Sequence, residues 1–470
     1  MSEPRQPSLL VSLIPAVSLV ALLFVSIAVL DSTGHVPLIA AAAVASLVAG
    51  SWLGVPWKTI EHGMVQSISA ALPAILILMA VGLLIGIWIA SGVVPLLIYY
   101  GLKILSPEYF LAASCLTCAL ISLATGSSWS TAATAGLALV GVAKALGIPD
   151  GMAAGAVISG AYFGDKMSPL SDTTNLAAAT AGADLFEHIR HMLWTTVPSL
   201  AVSLALFLYL GGSSSAAGVE SSVGFREILE TLQANFRLTP WLLAAPLAVL
   251  VLIARKTRPL PALIAGTTVG AVLLLVFQEN DGAGQILSVL YAGHLSATGV
   301  PAVDELLSRG GLTSMMDTIA LILCAFAFAG VMESSGMLAR LTHGILALAR
   351  STGALIGSTL LGGVAMNILA SDQYLAVVVP GRMFREAYRE RGLEPKNLSR
   401  ALEDSSTLTS PLVPWNTCGA YMSSVLGVSV GAYLPFAFLN LITPFVSLFY
   451  GLTGFTIARL KKQADLHLLP

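Results

Sequence analysis

Charged residues are scarce in this sequence. Of 470 residues, 23 are Lys or Arg and 25 are Asp or Glu, so only 10% of the chain is charged, whereas soluble domains contain about 25% charged residues. Apolar residues make up 56% of the chain and the mean hydropathy is +0.85, which leaves too few polar side chains to cover a water-soluble globule. This composition excludes a cytosolic enzyme, a secreted disulfide-rich domain and a disordered chain.

Cysteine and net charge are also low. The four cysteines, Cys115, Cys118, Cys324 and Cys418, all lie in apolar runs. Cys115 and Cys118 form one C-x-x-C pair without a second pair or nearby histidines, so the pattern does not predict a metal site. The formal net charge of −2 gives no reason to expect a nucleic-acid partner. No HExxH motif is present, which argues against a metal-dependent intramembrane enzyme.

Long apolar runs dominate the chain instead. A membrane-spanning helix needs roughly 20 mainly apolar residues, and eight runs meet or approach this length. They are residues 9–30, 36–53, 68–90, 188–210, 240–254, 260–277, 315–336 and 430–457. The first run is too long for the apolar core of a signal peptide and has no cleavage site. We therefore expect an all-α polytopic membrane protein whose surroundings are the lipid bilayer.

Two further predicted crossings have polar centres. Residues 151–182 contain GDKMSPLSDTTN (164–175), and residues 398–427 contain SSTLTSPLVPWNT (405–417). Proline and clustered Ser, Thr, Asn and Asp interrupt helices. Non-helical backbone at membrane depth is tolerated only where protein or a water-filled cavity surrounds it. Both stretches are therefore predicted to be broken transmembrane helices.

Two other stretches are divided by a short polar tip. Residues 109–146 are divided by TGSSWS (125–130), and residues 353–385 are divided by NILASDQ (367–373). A leg such as 109–124 would be about 24 Å long at roughly 1.5 Å per residue, which is short for a crossing. We therefore predict two re-entrant hairpins. Because polar backbone at membrane depth needs partners, the hairpin tips are expected to approach the broken helices.

The distribution of positive charge predicts the orientation. With both termini in the cytoplasm, ten crossings and two hairpins place 17 of the 23 Lys and Arg residues inside and 5 outside, with Lys166 within a break. Positive charges concentrate in the cytoplasmic loops of membrane proteins. We therefore expect a multi-pass protein of the cell (inner) membrane with both termini in the cytoplasm.

The two halves of the chain resemble each other. Ser-Pro-Leu recurs at 168–170 and 410–412, and the same offset brings the tip 125–130 onto 367–372. Each half has the order crossings, hairpin, broken crossing and final crossing. Five crossings per half require the second copy to be inverted, and inverted repeats with broken helices are typical of secondary transporters.

This symmetry predicts the domain organisation. The first repeat covers residues 1–212, a polar linker outside the membrane covers 213–239, and the second repeat covers 240–470. Each repeat then contains one hairpin and one broken helix. A channel fits this pattern less well, because broken helices in an inverted repeat suit alternating access.

Carboxylates at membrane depth are costly and mark ion or proton pathways. Those predicted there are Asp165, Asp172, Glu333, Asp372 and Asp404. Asp172 is the first candidate for ion and proton coupling, followed by Asp165 and Asp372. Apolar surroundings would make the Asp172 carboxylate bind a proton more tightly, whereas the positive charge of Lys166 would favour the ionised form.

Hard cations prefer oxygen ligands, and a broken helix supplies hydroxyls, amides and freed carbonyls. Asp172, Thr173 and Asn175 are the predicted sodium ligands. The wider set predicted to bind an ion or a substrate consists of Thr125, Ser127, Ser128, Thr173, Thr174, Asn175, Asn367, Ser371, Asn416 and Thr417. No resident cofactor is expected, since sodium and protons would be the cargo.

Several of these side chains have a structural alternative. Asp165 could form an ion pair with the adjacent Lys166, and Asp172 could cap the second half-helix. Glu333 could be solvated near the cytoplasmic end of its crossing. An ion pair at Asp165 or a solvated Glu333 would remove that residue from ion coupling, whereas capping by Asp172 is compatible with ion binding.

Four more titratable residues lie near the predicted cytoplasmic side. Glu403 and Asp404 could simply balance the basic loop 382–400, and His188 and His191 could form a solvated turn. A pH-sensing role for the two histidines is the alternative, because histidine titrates near neutral pH.

The string GAYFGDKMSPLSDTTN (160–175) closely resembles the signature of the NhaC-type sodium/proton antiporters. The string EDSSTLTSPLVPWNTCGAYM (403–422) resembles the corresponding later region of that family. The resemblance implies inverted repeats, opposed hairpins and often an elevator movement within a homodimer. It also implies an inward proton flux that drives sodium out. Some similar exchangers couple sodium and protons to organic acids or amino acids, so exchange of a small organic solute is the alternative function.

Cysteine labelling tests the predicted topology. In a cysteine-free background, single cysteines at Glu108 and Asp150 should both react with an impermeant reagent from outside, because the hairpin between them returns to the same face. A cysteine at Glu394 should react only from the cytoplasm, opposite to one at Ser221. Labelling of Glu108 and Asp150 from opposite faces would show that 109–146 crosses the membrane once.

Overall fold

The structure is a computed structural model and describes residues 5–30, 32–104, 106–215, 223–279 and 282–460. Across these ranges the regular elements are helices, and the β-structure is a single isolated bridge between Leu393 and Arg459. This confirms the expected all-α class. Ser221, within the predicted linker, lies outside the described residues.

Three long helices open the chain. They are α1 (Leu9–Phe24), α2 (His35–Leu47) and α3 (Trp57–Ala90). The first two each end in one π-helical turn, Val25–Val29 and Val48–Trp52. α1 packs against α2, and α3 packs against helices of the second half.

Helix α3 is longer than the sequence analysis predicted. The expected crossing was 68–90, but the helix begins at Trp57 and has 34 residues. Its first turns contain the charged residues Lys58 and Glu61, so a search for apolar runs misses the start of the helix. The available signal was Pro56, because no other proline occurs between it and Pro73. Gly63 also lets this part of α3 pack directly on a helix of the second half, α16 (Met316–Ser334), since a Cβ there would lie 2.8 Å from the carbonyl oxygen of Gly330.

The rest of the first half consists of seven helices. They are α4 (Val93–Ile104), α5 (Pro107–Thr125), α6 (Ser128–Thr131), α7 (Leu137–Ala145), α8 (Asp150–Met167), α9 (Asp172–Ala181) and α10 (Leu185–Ser215). A π-helical turn joins α6 to α7. The chain turns between α5 and α6 at Gly126, whose φ is +69°, and is interrupted between α8 and α9 at residues 168–171.

The segment between the halves contains a helix that the sequence analysis did not predict. Within 213–239, which was interpreted only as a polar linker, the structure has α11 (Val223–Asn235). This helix packs against α4 and against α15 (Pro301–Leu307) of the second half. Its apolar residues recur at helical spacing, including Ile228 and Leu232, which are buried, so periodicity was the available signal.

The second half contains twelve helices. They are α12 (Ala244–Ala254), α13 (Pro259–Phe277), α14 (Ala283–Ala292), α15 (Pro301–Leu307), α16 (Met316–Ser334), α17 (Met337–Leu346), α18 (Thr352–Leu369), α19 (Gln373–Glu390), α20 (Pro395–Leu402), α21 (Thr417–Leu426), α22 (Val430–Tyr433) and α23 (Phe438–Thr453). α18 and α19 pack against each other around a turn at residues 370–372. Between α20 and α21 lie a π-helical turn, Glu403–Thr407, and a 3-10 turn, Ser410–Leu412.

Eight of the described helical segments are long and apolar enough to cross a membrane, or up to ten if two bent pairs each count as one span. α5, with 19 residues, and α18, with 18, are among the eight. The argument that a hairpin leg is too short to cross is therefore wrong, because both helices extend beyond the predicted legs. The re-entrant path stays a prediction that now depends on the turns at Gly126 and at 370–372.

The closest helix packing in the first half joins α5 to α8. A Cβ on Gly160 would lie 2.0 Å from the carbonyl oxygen of Cys115, and one on Gly164 would lie 2.3 Å from that of Ala119. Small residues at such interfaces let helix backbones approach closely. This contact places the break after α8 directly beside the tip that follows α5.

Glycine substitution tests this packing. Gly160→Ala should lower the free energy of unfolding by about 1–3 kcal/mol, the usual cost of inserting a methyl group into a filled interface. Gly50→Ala is the matched control, because no atom lies within 4 Å of its added Cβ. The measurement is chemical denaturation in detergent micelles. Equal stability of the two variants would contradict the close approach.

Candidate functional site

The first hairpin tip contacts the first broken helix through a buried carboxylate. The backbone N–H of Ser128 donates to Oδ2 of Asp165 at 3.1 Å, and the Ser128 hydroxyl donates to the same oxygen at 2.6 Å. Both residues are buried. Gly126 brings the tip against the break, since a Cβ there would lie 2.7 Å from the carbonyl carbon of Leu170. Asp165 therefore lies at the N-terminus of α6, where the helix dipole stabilises negative charge.

The break between α8 and α9 satisfies part of its own backbone. The Thr174 hydroxyl donates to the carbonyl of Lys166 at 3.0 Å, and Nδ2 of Asn175 donates to the carbonyl of Ser171 at 2.6 Å. The Ser171 side chain caps α9 by accepting from the N–H of Thr174 at 3.3 Å. Ser171 therefore holds the N-cap position and Asp172 is the first helical residue, although the Asp172 carboxylate also accepts from the N–H of Thr173 at 3.0 Å.

Asp172 lies at the wall of a cavity. It is exposed, and its carboxylate accepts a hydrogen bond from the hydroxyl of Tyr374 in the first turn of α19. With Thr125 and Ser127 of the first tip it lines a cavity of about 800 Å³, which also reaches Arg258 in the α12–α13 connection. No lysine or arginine forms an ion pair with Asp172 among the described residues. Its negative charge is thus available to a cation that enters the cavity.

The second hairpin tip contacts the second broken helix in the same way. Nδ2 of Asn367 donates to the carbonyl of Ser406 at 2.7 Å, and Nδ2 of Asn416 donates to Oδ1 of Asn367 at 3.1 Å. The N–H of Thr417 donates to the carbonyl of Ser371 at 3.0 Å. The expectation that each tip approaches a broken helix is therefore confirmed in both halves.

Asp372 belongs to the second tip. It caps α19, since its Oδ1 accepts from the N–H of Leu375 at 2.9 Å. The preceding Ser371 has a φ of +57°, which is unusual for a residue other than glycine. Such backbone strain is found at functional sites, but the coupling role of Asp372 stays a prediction.

A buried ion pair joins the two broken helices. The ammonium of Lys166 in α8 contacts the carboxylate of Asp404, and both side chains are fully buried. The Thr195 hydroxyl of α10 donates to Oδ1 of Asp404 at 3.1 Å. The ion pair considered between Asp165 and Lys166 is absent, because adjacent residues on a helix point about 100° apart. Asp404 likewise does not balance the exposed basic loop.

Three further titratable groups were wrongly placed in solvent. Glu403 and His188 are fully buried and His191 is 8% exposed, because this end of α10 packs against α8, α9 and α20. Both ring nitrogens of His188 and both carboxylate oxygens of Glu403 lack a hydrogen-bond partner among the described residues. Glu333, by contrast, is exposed at the end of α16, which favours the solvated interpretation.

Two tyrosines connect the halves and escaped the sequence analysis. Tyr374 bonds to Asp172. Tyr421 stacks on Trp129 with ring centroids 4.0 Å apart, and its hydroxyl donates to the carbonyl of Trp129 at 2.9 Å. Their places in the sequence could have indicated them, because Tyr374 directly follows the polar tip 367–373 and Tyr421 follows the second break.

Comparison with known proteins identifies the family. Residues 160–455, more than half of the chain, match the family model described as the Na⁺/H⁺ antiporter family. The chain belongs to this family. It is 38% identical over 447 residues to the Na⁺/H⁺ antiporter NhaC of Alkalihalophilus pseudofirmus, covering 95% of this chain and 96% of the relative. The resemblance to NhaC-type antiporters is therefore confirmed.

Two more relatives cover most of the chain. The Na⁺/H⁺ antiporter NhaC of Bacillus subtilis is 39% identical over 89% of this chain and 92% of its own length. The malate-2H⁺/Na⁺-lactate antiporter of the same organism is 38% identical over 87% of each chain. These relatives are named as antiporters and not as enzymes. Together with the apolar helices, they make this chain a multi-pass membrane transporter.

Removing one charge of the buried ion pair is expected to lower stability more than removing both. Lys166→Met should lower the free energy of unfolding by about 3–5 kcal/mol, since the Asp404 carboxylate is then buried without a counter-charge. The double variant Lys166→Met with Asp404→Leu should recover much of this loss, because neither charge remains. Denaturation in detergent micelles measures both. A loss in the double variant equal to the sum of the losses in the two single variants would contradict a direct pair.

Proposed function

We propose that the protein exchanges sodium for protons and that Asp172 binds the two in turn. The carrying observation is that Asp172 lies at the break between α8 and α9, faces a cavity of about 800 Å³ and has no basic partner. Intramembrane carboxylates with these properties are typical of ion and proton pathways. Family membership supports sodium and protons as the cargo.

Competition at one carboxylate enforces the exchange. Protonation removes the negative charge of Asp172 and so releases sodium, whereas bound sodium stabilises the ionised form and disfavours the proton. Carboxylate, hydroxyl and amide oxygens suit sodium as a hard cation. Thr173 and Asn175 lie one and three residues further along α9, and Asn175 uses Nδ2 for the break, which leaves its Oδ1 for the ion.

The cavity indicates which side the site faces in this conformation. It reaches Lys256 and Arg258 in the connection between α12 and α13. The excess of positive charge supports a cytoplasmic position for this connection, and we propose on that basis that the structure is inward-facing. In the change to the outward-facing conformation, the tips and the broken helices would move together towards the outside.

A second candidate function is exchange of a small organic anion. Cavities of about 300–1,000 Å³ suit small-molecule ligands, and this one is far larger than a sodium ion. Lys256 and Arg258 at its wall would attract a carboxylate, and one relative is named a malate-2H⁺/Na⁺-lactate antiporter. Sodium-driven proton flux that requires malate or lactate inside sealed vesicles would favour this function over plain cation exchange.

Substitution of Asp172 tests the proposed coupling. Asp172→Asn keeps the size of the side chain but cannot titrate, so it should abolish sodium-driven proton flux in proteoliposomes while the protein stays folded. Asp172→Glu should retain part of the flux with a shifted pH profile, because the charge survives in altered geometry.

The competing assignment is tested beside it. Asp165→Asn should mainly lower stability, because it weakens the contact with Ser128 of the first tip. Fluxes are normalised to folded protein, measured by size-exclusion chromatography. Near-normal flux in Asp172→Asn together with complete loss in Asp165→Asn would move the coupling site to Asp165.

A further inference from the structure

Glu403 is a buried carboxylate that the exchange at Asp172 does not use. It begins the π-helical turn Glu403–Thr407 after α20 and has no exposed surface. Neither of its oxygens accepts a hydrogen bond of good geometry from a described residue, and the nearby hydroxyl of Thr407 is the candidate donor. Single π-helical turns are frequent at functional sites.

The cation nearest to Glu403 is already paired with another carboxylate. Lys166 and Asp165 of α8 face it, as does Asp404 of its own turn. The ammonium of Lys166 is bound to Asp404, and Asp165 receives two hydrogen bonds from Ser128. Asp404 thus has Lys166 as its ion-pair partner and Asp165 has hydrogen-bond donors, whereas Glu403 forms no ion pair with a described residue.

Among the other elements packed against this turn, α20 brings the buried Arg400, which forms no ion pair with Glu403 and donates to the hydroxyl of Thr456 at 2.9 Å. α18 and α23 contain no charged residue, and Asp172, the only one in α9, faces the cavity. The charged residues within α19 are exposed. On α10, His188 faces Lys166, and His191 faces Arg400 and Lys396. An ionised carboxylate without a partner is strongly disfavoured in such an environment.

We propose that Glu403 is a second proton-binding residue of this transporter, separate from the cation site at Asp172, and that its proton is exchanged in the same transport cycle. This inference rests on the proposed function. In the conformation described here Glu403 holds the proton on a carboxylate oxygen. When the Lys166–Asp404 pair rearranges and water reaches the turn, Glu403 releases that proton to water and its carboxylate takes Lys166 as counter-ion.

The cluster suits a proton better than a metal ion. Among the described residues, no group of three or more His, Cys, Asp and Glu side chains has an arrangement that could hold a metal.

Infrared difference spectroscopy tests the protonation directly, without transport. The wild-type protein near neutral pH should show the carbonyl band of a buried carboxylic acid, and Glu403→Gln should lack that band because glutamine has no acid form. Glu386→Gln, an exposed position on α19, is the matched control and should keep it. Identical acid bands in the wild type and in Glu403→Gln would overturn the proposal.

Transport stoichiometry tests whether the proton is exchanged. In proteoliposomes, Glu403→Gln should keep sodium–sodium exchange, because the site at Asp172 is intact, but should move one proton fewer per sodium than the wild type and Glu386→Gln. An unchanged proton-to-sodium ratio would overturn the proposal. If the wild type shows the acid band but no sodium-driven proton flux, the proposed function fails and exchange of this proton fails with it.

Discussion

Unpaired backbone groups within the membrane are the constraint on which this structure depends. Two helices are interrupted at polar segments, and each interruption exposes N–H and carbonyl groups that lipid cannot satisfy. The structure meets this demand with side chains of the breaks and with the two tips. Asn175 and Thr174 bond to carbonyls of the first break, and Asn367 bonds to a carbonyl of the second. The polar residues that form the candidate site are thus the same residues that make the broken helices tolerable.

The contacts between the halves add a second level of organisation. Each tip bonds to the broken helix of its own half, and the Lys166–Asp404 pair links the two broken helices. Tyr374 and Tyr421 extend the connections by joining residues of the second half to Asp172 and Trp129. Most of this network is buried, so charge and hydrogen bonding are concentrated in a region otherwise packed with apolar helices. The two breaks are therefore in direct physical contact.

The sequence predicted the helical class, the two breaks and the two tips because each leaves a local signal. Proline and clustered Ser, Thr, Asn and Asp mark breaks, and apolar length marks spans. It could not predict that Lys166 pairs with Asp404, because that contact joins residues 238 positions apart and the adjacent Asp165 offered a simpler partner. The burial of Glu403 and His188 was missed for a related reason, since proximity to a basic loop along the chain does not imply proximity to solvent.

The length of α3 has a mechanical consequence. A helix of 34 residues is about 51 Å long at roughly 1.5 Å per residue, whereas the hydrocarbon core of a bilayer is about 30 Å thick. The helix must therefore lean steeply or stand well clear of the lipid. Because Lys58, Glu61 and His62 all lie in its first turns, projection into water accounts for them at little energetic cost. α3, which packs against α13 and α16 and lines the cavity with Pro73, Leu76 and Ile77, then extends from the cavity wall towards the aqueous phase.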